Sequence, residues 1–287
     1  MSKVYEIITS KIIEKLEAGV VPWHKPWGSA GEPKNLVSKK EYRGINTFLL
    51  GCSGHSSAYW ATFKQIKEKG GKLKKGAKSE MIVFWKKLEK NGENTDSAET
   101  TEDGLSKRFV LRYYRVFNLS DVDGIETGED KEVNKIKFVP IKKAEEITEG
   151  FKTKPPVKHE KQRACYYPGL DYINMPQKES FESEEEYYST LFHELAHSTG
   201  HKSRLNREGI EDQTAAFGTK TYSKEELVAE ITAAFLCAEV KIEGVFDNSA
   251  AYICGWVKKF KDKPKMIVLA SAAAQRASDY ILNRSHD

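Results

Sequence analysis

The pentapeptide His193-Glu194-Leu195-Ala196-His197 is the feature that most constrains this 287-residue chain. Apolar residues recur at helical spacing around it, and the pattern predicts a helix over residues 184–199. Residues i and i+4 of a helix share one face, so the two histidines can bind one metal ion. Glu194 lies between them and can act as a general base toward a water on that ion. The motif therefore predicts a zinc site of the metallopeptidase type.

A second helix, which we predict from Ser223 to Val240, offers the third metal ligand. Glu226 and Glu230 lie one turn apart on it, about thirty residues after the histidines. Ser223 and Glu226 also have the spacing of a capping box, in which case Glu226 caps the helix and Glu230 binds the metal. Glu230 has apolar neighbours, among which an unpaired carboxylate is costly to bury. The residues alone leave both acids as candidates.

Basic residues are concentrated in the first third of the chain. Residues 1–90 contain 18 Lys and Arg against 8 Asp and Glu, whereas the remaining residues contain 28 against 34. Aromatic residues alternate with these cations, and single-strand binders combine a positive groove with aromatic faces on which bases stack. Burial in a core is the alternative for the aromatic side chains. The candidate DNA-binding residues are Trp23, Lys25, Trp27, Tyr42, Arg43, Trp60, Lys64, Lys72, Lys74, Lys75, Trp85 and Lys86.

The pattern of elements predicts an α+β protein of two domains. We expect an N-terminal α+β module over residues 1–122, with strands at 81–85 and 109–117 joined by a flexible polar loop at 91–106. A polar segment at 123–156 is predicted to be a linker. Residues 157–287 are expected to form a mostly helical domain that carries the metal site.

Cysteine usage and hydropathy exclude two broad classes of protein. The four cysteines contain no CxxC pair, which argues against a disulfide framework or a cysteine zinc knuckle. No apolar run approaches the length needed to span a membrane, and the first residues lack the apolar stretch of a signal peptide. We therefore expect a cytoplasmic protein without a membrane partner.

Long phrases of the chain resemble ArdC-type antirestriction proteins. In the first part these phrases are Ala18-Gly19-Val20-Val21-Pro22-Trp23 with Lys25-Pro26-Trp27, Tyr42-Arg43-Gly44-Ile45-Asn46, Trp60-Ala61-Thr62-Phe63-Lys64-Gln65, Lys75-Gly76 and Val83-Phe84-Trp85-Lys86. In the second part they are residues 187–201 around the pentapeptide, Arg204-Leu205 and residues 225–236. The resemblance covers nearly the whole chain except residues 91–106 and 121–160.

The resemblance implies a function and a ligand set. It implies an N-terminal domain that binds single-stranded DNA, a zincin-like metallopeptidase domain, and protection of mobile-element DNA from host restriction. In the manner of glutamate-type zincins, Glu226 is then the third Zn²⁺ ligand, and Glu230 hydrogen-bonds a ligand histidine. A DNA-bound or restriction protein is a candidate substrate. Two alternatives stay open: a single-strand binder with a structural zinc, and a protease that acts on DNA-bound proteins.

Overall fold

The computed structural model describes residues 3–23, 32–51, 53, 55–87, 109–125, 140–207, 210, 220–242 and 250–285. The N-terminal part contains helices and short strands in mixed order. Its helices are α1 (Lys3–Glu17), α2 (Ile45–Gly51) and α3 (Phe63–Glu68), and its strands are β1 (Lys34–Asn35), β2 (Tyr59–Ala61), β3 (Lys72–Leu73), β4 (Glu80–Lys87), β5 (Phe109–Asn118) and β6 (Val122–Asp123).

A four-stranded sheet of order β1-β2-β5-β4 organises the N-terminal part, and β3 pairs with β6 beside it. The two long strands, β4 and β5, are antiparallel from Glu80 opposite Val116 to Lys87 opposite Phe109. They are rich in β-branched and aromatic residues, which favour a pleated and half-buried surface. The two strands predicted here are therefore confirmed, whereas the predicted loop at 91–106 lies outside the described residues.

The C-terminal part is mostly helical, as predicted. Its elements are α4 (Pro140–Gly150), β7 (Val157–Lys158), β8 (Cys165–Tyr167), β9 (Tyr172–Asn174), α5 (Glu184–Thr199), α6 (Lys220–Val240), α7 (Ala250–Asp262) and α8 (Met266–Ile281). The small sheet has the order β7-β9-β8, which makes β8 an edge strand next to α5. These elements and those of the N-terminal part confirm the α+β fold class.

Helix α4 falls within the segment that the sequence analysis took for a linker. Ala144 is fully buried in it, and Ile141 and Ile147 pack against the same hydrophobic cluster. Residues three apart share one face of a helix, so these three side chains form an apolar stripe. The Lys143 ammonium group also lies 3.3 Å from a carboxylate oxygen of Glu239 on α6. The segment is polar in overall composition, which is why this apolar stripe was not recognised in the sequence. The position of the domain boundary stays a prediction.

One hydrophobic core joins the two parts of the chain. It contains Tyr5, Ile8 and Ile12 of α1 together with apolar residues of α2, α6, α7 and α8. The rings of Phe48 on α2 and Phe235 on α6 stack with their centroids 5.5 Å apart. None of the helices described is both long and apolar enough to cross a membrane. The N-terminal part therefore packs directly on the helix that carries the candidate metal carboxylate.

The start of α6 corrects one interpretation of the sequence. The helix begins at Lys220, three residues before the predicted start, so Ser223 lies within the helix and not at its N-cap position. A capping box needs its Ser at the N-cap, where the backbone is still extended. The capping-box interpretation of Ser223 and Glu226 is therefore wrong, and the Glu226 carboxylate is left for another role.

A carboxyl pair in the N-terminal part leads to a prediction about stability. Burial, followed by the hydrogen bond to Glu41, raises the pKa of Glu32 to about 7. The folded state then binds this proton more tightly than the unfolded state, so the contribution to stability falls as the pH rises from about 4.5 to 7. Glu32→Gln keeps a hydrogen-bond donor and does not ionise. We expect the Tm difference between Glu32→Gln and the parent to be more favourable to the variant at pH 8 than at pH 5.

The control for this experiment is Glu6→Gln, because Glu6 is an exposed carboxylate in the first turn of α1. Thermal unfolding of the three proteins at several pH values gives the comparison. A Glu32→Gln effect on Tm that is the same at pH 5 and pH 8 contradicts the prediction.

Candidate metal centre

Helix α5 places the two histidines and the glutamate of the pentapeptide. The Ser183 hydroxyl accepts a hydrogen bond from the backbone N–H of Glu186 and so caps the helix. Acidic side chains occupy the first turn, where the positive end of the helix dipole stabilises them. Buried apolar side chains then fix the rotation of the helix about its axis. They are Tyr187, Tyr188, Leu191, Phe192 and Leu195. His193 and His197, one turn apart, consequently point to the same side, toward α6.

Three donor atoms converge between α5 and α6. The Nε2 atoms of His193 and His197 are 3.1 Å apart. Oxygens of the Glu226 carboxylate lie 3.5 Å from His193 Nε2 and 3.4 Å from His197 Nε2. Among the described residues, this is the one group of three or more His, Cys, Asp or Glu side chains that could hold a metal ion.

The spacing of these atoms fits a small divalent cation. Zinc is bound by histidine nitrogen and carboxylate oxygen at about 2.0–2.2 Å in tetrahedral geometry, which separates neighbouring ligand atoms by about 3.3–3.6 Å. The two nitrogen–oxygen separations, 3.5 and 3.4 Å, lie within that range, and the separation of the two nitrogens, 3.1 Å, is slightly shorter. Three protein ligands leave the fourth position open, which distinguishes catalytic zinc sites from structural ones.

Charge also favours a cation at this point. Burial raises the pKa of Glu226, but its hydrogen bonds to both histidines outweigh burial and hold that pKa well below its usual range. Burial lowers the pKa of His197, but the hydrogen bonds to Glu225 and Glu226 outweigh it and raise the pKa to about 10. An anionic carboxylate thus faces two ring nitrogens, a donor set that binds a metal ion when the nitrogens are deprotonated.

A buried ion pair behind His197 orients the ring. The Glu225 carboxylate lies 3.5 Å from His197 Nδ1, and the Arg207 Nε–H donates to the same carboxylate at 3.0 Å. Arg207 also donates to the backbone oxygen of Ala196 at 2.9 Å and to the Thr199 hydroxyl at 2.6 Å. A carboxylate on Nδ1 directs Nε2 at the metal position. Glu225 and Arg207 were not predicted from the sequence, because no local spacing connects them.

Glu194 is buried beside the metal position and is held by the backbone of β8. Its Oε2 atom accepts a hydrogen bond of 2.7 Å from the backbone N–H of Tyr166. Its Oε1 atom has no hydrogen-bond partner among the residues that the structure describes. One carboxylate oxygen is therefore fixed, and the other is available to a water molecule.

A polar network fixes β8 against the end of α5. The Tyr166 hydroxyl donates to Asp171 Oδ1 at 2.7 Å, and Arg204 donates to the carboxylate of Asp171 from both Nη atoms. The Arg204 Nε–H also donates to the backbone oxygen of Ser198 at 2.6 Å. The arginine thus joins the β8–β9 turn to the helix that carries the histidines. The position of the Tyr166 N–H, and through it that of Glu194, depends on this network.

Glu230 does not belong to the group of metal donors. Its carboxylate accepts a hydrogen bond from Trp23 Nε1 at 3.2 Å and another from the Tyr252 hydroxyl. Burial raises its pKa. No hydrogen bond links Glu230 to a histidine among the described residues, so the histidine contact implied by the resemblance is not formed here. Of the two acids that the sequence left open, Glu226 is the one next to both histidines.

Three of the aromatic residues predicted to bind DNA are core residues. Trp23 and Trp60 are 0 % and 2 % exposed, and Tyr42 is 8 % exposed. Trp23 packs edge-on against Trp256 and Phe260. Base stacking needs an open ring face, so the stacking role predicted for the two tryptophans is wrong in this structure.

The other candidates are dispersed. Arg43 forms an ion pair with Asp279 of α8, and Trp85 is exposed. Four lysines are also exposed: Lys64 lies on α3, and Lys72, Lys74 and Lys75 lie in or beside β3. Lys25 and Trp27 lie outside the described residues, and the Lys86 side chain does too.

An aromatic face on β4 and β5, which the sequence analysis did not single out, is open to solvent. Phe84 and Tyr114 are 48 % and 46 % exposed, and their ring centroids are 5.9 Å apart. Arg112 is paired directly opposite Phe84, and side chains of paired residues share one face of the sheet. We call Phe84, Arg112 and Tyr114 the sheet platform. Only the register of the hairpin, which the sequence does not specify, brings these three side chains together.

Two family models match the chain. Residues 2–117 match the N-terminal domain of the anti-restriction factor ArdC, and residues 142–274 match a zincin-like metallopeptidase. The fold is similar to crystal structures of the antirestriction ArdC protein from the R388 plasmid. The metal-free structure is 33 % identical with a TM-score of 0.77, covering 99 % of this chain and 100 % of that chain. The Mn(II)-bound structure has the same identity and TM-score, and the match covers 98 % of this chain and 97 % of that chain.

Curated relatives include much longer proteins. A DNA primase TraC of Escherichia coli is 34 % identical over 97 % of this chain but only 20 % of its own length. A second TraC primase of Escherichia coli is 35 % identical over 97 % of this chain and 27 % of its own length. The chain thus spans about a fifth to a quarter of these primases. An uncharacterized protein y4eC of Sinorhizobium fredii (strain NBRC 101917 / NGR234) is 29 % identical, with 99 % of this chain and 93 % of that protein covered.

The geometry predicts how four variants bind zinc. His193→Ala and Glu226→Gln each remove a donor atom and should abolish stoichiometric binding. Glu225→Gln removes the charge behind His197 and should weaken binding about 10- to 100-fold. Glu230→Gln is the matched control on the same helix and should keep the parental affinity. Metal analysis together with competition against a chelator measures all four. Zinc retained in Glu226→Gln but lost in Glu230→Gln would reassign the third ligand.

Proposed function

The chain belongs to the ArdC family of antirestriction proteins, and from this premise we propose that it binds single-stranded DNA with its N-terminal part and carries a zinc peptidase site in its C-terminal part. Binding of the strand serves to protect incoming DNA of a mobile element from restriction. The observation that carries the proposal is the convergence of His193, His197 and Glu226 next to a buried Glu194 with one free oxygen.

The residues of the site have distinct roles in peptide hydrolysis. His193, His197 and Glu226 hold the zinc ion, which when bound lowers the pKa of a water and polarises a carbonyl. Glu194 accepts the proton of that water on Oε1, while the Tyr166 N–H keeps Oε2 in place. The same carboxylate then delivers the proton to the amine that leaves. A structural zinc needs no such base, so the position of Glu194 favours a catalytic site.

A peptide substrate fits along β8. This strand is at the edge of its sheet and lies beside α5. An extended peptide can add to an edge strand as a further strand, here through backbone groups other than the Tyr166 N–H, which Glu194 holds. Such pairing would place the scissile bond next to Glu194, because β8 itself contacts that carboxylate.

Single-stranded DNA fits the sheet platform. Two exposed rings 5.9 Å apart provide stacking faces for bases, and Arg112 on the same face provides a cation for the phosphates. The similarity to the R388 protein, which has been crystallised with Mn(II), supports a divalent cation at the site in the C-terminal part. We assign zinc because the donor set is two imidazoles and one carboxylate.

The platform leads to a prediction for DNA affinity. Phe84→Ala or Tyr114→Ala should weaken binding of a thymine oligonucleotide about 5- to 160-fold, which corresponds to about 1–3 kcal/mol for a lost stack. Affinity should also fall steeply with salt. Fluorescence anisotropy across a salt series measures both effects. Trp23→Phe is the control, since this ring is fully buried, and it should bind as the parent does. Unchanged affinity in both platform variants would exclude this surface.

A second prediction separates cleavage from shielding. Glu194→Gln removes the base but keeps all three donor atoms, so zinc content, fold and DNA affinity should be unchanged while any peptidase turnover is lost. We expect this variant still to protect DNA from restriction in a transfer assay, because coverage of the strand suffices. Protection lost with DNA affinity and zinc content intact would show instead that cutting a protein is the mechanism. Turnover retained in the variant would contradict the role of Glu194.

A further inference from the structure

A pocket opens beside the sheet platform, in the N-terminal part and apart from the metal centre. Its volume is about 750 Å³, within the range of about 300–1,000 Å³ that is usual for small-ligand sites. Phe84 and Tyr114 form its aromatic wall, and Ile82, on the same face of the sheet, adds an apolar surface. The pocket is thus continuous with the two rings of the platform, so a strand stacked on those rings passes its mouth.

The polar side of the pocket is built around Asn35. The Asn35 Nδ2 amide donates to the Tyr42 hydroxyl oxygen at 3.2 Å and lies 3.5 Å from Gln65 Oε1. Its Oδ1 atom accepts hydrogen bonds from the backbone N–H groups of Val37 and Ser38, which anchor it. Because both Tyr42 and Gln65 contact the same amide nitrogen, their polar ends are neighbours on one wall.

Two hydrogen-bond donors on this wall have no acceptor in the described part of the chain. The Tyr42 oxygen accepts from Asn35, which leaves its O–H without a partner, although the residue is only 8 % exposed. Gln65 uses Oε1 for the backbone N–H of Thr62 at 2.9 Å, which leaves its Nε2 amide without one. A buried donor without an acceptor is costly, so the Tyr42 hydroxyl indicates a ligand, and the half-buried Gln65 amide is available to the same ligand. Burial raises the pKa of Tyr42, which keeps the hydroxyl protonated as a donor.

Charge around the pocket suits a nucleic acid. Lys40 and Arg43 line the pocket with Glu41 as the acidic member, and Arg112 lies beside it, opposite Phe84. Lys40 makes no ion pair with another described residue. Arg43 is already paired with Asp279, so a polyanion that crosses the platform meets the cations Lys40 and Arg112. A flat, uncharged ring is the part that an aromatic and apolar interior accepts.

We propose that this pocket holds one unstacked base of the bound single strand and selects guanine or cytosine through the Tyr42 hydroxyl and the Gln65 amide. Two neighbouring donors match a base edge that has two adjacent acceptors. Guanine offers O6 and N7, and cytosine offers O2 and N3. Thymine has an N–H between its two oxygens. Adenine has no two adjacent acceptors, because N1 and N7 each lie next to the N6 amino donor and N3 stands alone. The inference rests on the proposed binding of single-stranded DNA and adds base selection to it.

The test uses the full chain and a set of thymine oligonucleotides in which the central base is thymine, guanine, cytosine or adenine. We expect the parent to bind the strands with central guanine or cytosine about 2- to 10-fold more tightly than the all-thymine strand, as one or two neutral hydrogen bonds imply. In Tyr42→Phe this ratio should fall to near one. Gln65→Glu keeps the acceptor that caps α3 but removes the amide donor, and should also remove the preference.

The control is Tyr113→Phe, which removes an exposed hydroxyl from the other face of β5; it should keep the ratio of the parent. Equal affinity of the parent for all four strands overturns the pocket while leaving single-strand binding intact. A preference that survives in both Tyr42→Phe and Gln65→Glu overturns the assignment of the donors. Absence of binding to every strand overturns the proposed DNA binding itself, and with it this inference.

Discussion

The burial of α6 is the constraint on which the rest of the structure depends. Leu227, Val228 and Ile231 pack into the core shared with the N-terminal part, whereas Ala233 and Leu236 pack into the core around α5. A helix that is apolar on all sides has to be covered on all sides. Neither part of the chain covers α6 alone, and the two parts are held together because each covers one side of it.

Three carboxylates on this buried helix would destabilise the fold without partners. Removing a charge from water costs several kcal/mol unless it is paired and hydrogen-bonded. Glu225 is paired with Arg207 and His197, Glu226 with the two histidines, and Glu230 with hydrogen-bond donors from Trp23 and Tyr252. The three acids thus form a row of paired or hydrogen-bonded carboxylates on an otherwise apolar helix. Trp23 contributes to it from the N-terminal part, so the first segment of the chain helps to hold the helix of the metal site.

How much the sequence predicts depends on whether the signal is local. The helix of the histidines, the strands β4 and β5 and the i, i+4 donor pair follow from periodicity, and the structure confirms the helix and the two strands. The residues alone left Glu226 and Glu230 open because helix boundaries are poorly marked in sequence, and α6 begins earlier than its Ser suggested. The ion pair of Arg207 and Glu225 joins residues 18 positions apart across a segment with no regular pattern. Composition likewise cannot separate a core tryptophan from an exposed one, so it selected the buried Trp23 and Trp60 and passed over Tyr114.

The contacts behind the donor atoms hold those atoms in place through the fold itself. Glu225 and Arg207 fix His197 from behind, the Tyr166 N–H fixes Glu194, and Arg204 fixes the strand that carries Tyr166. None of these contacts involves the metal position. A metal ion therefore meets donor atoms at ligand spacing and does not have to order them, so its binding energy is not consumed in folding the site. Structural zinc centres behave in the opposite way, since they supply the folding energy themselves. A site that the fold maintains on its own can keep one coordination position open for chemistry, which is the property that a hydrolytic centre requires.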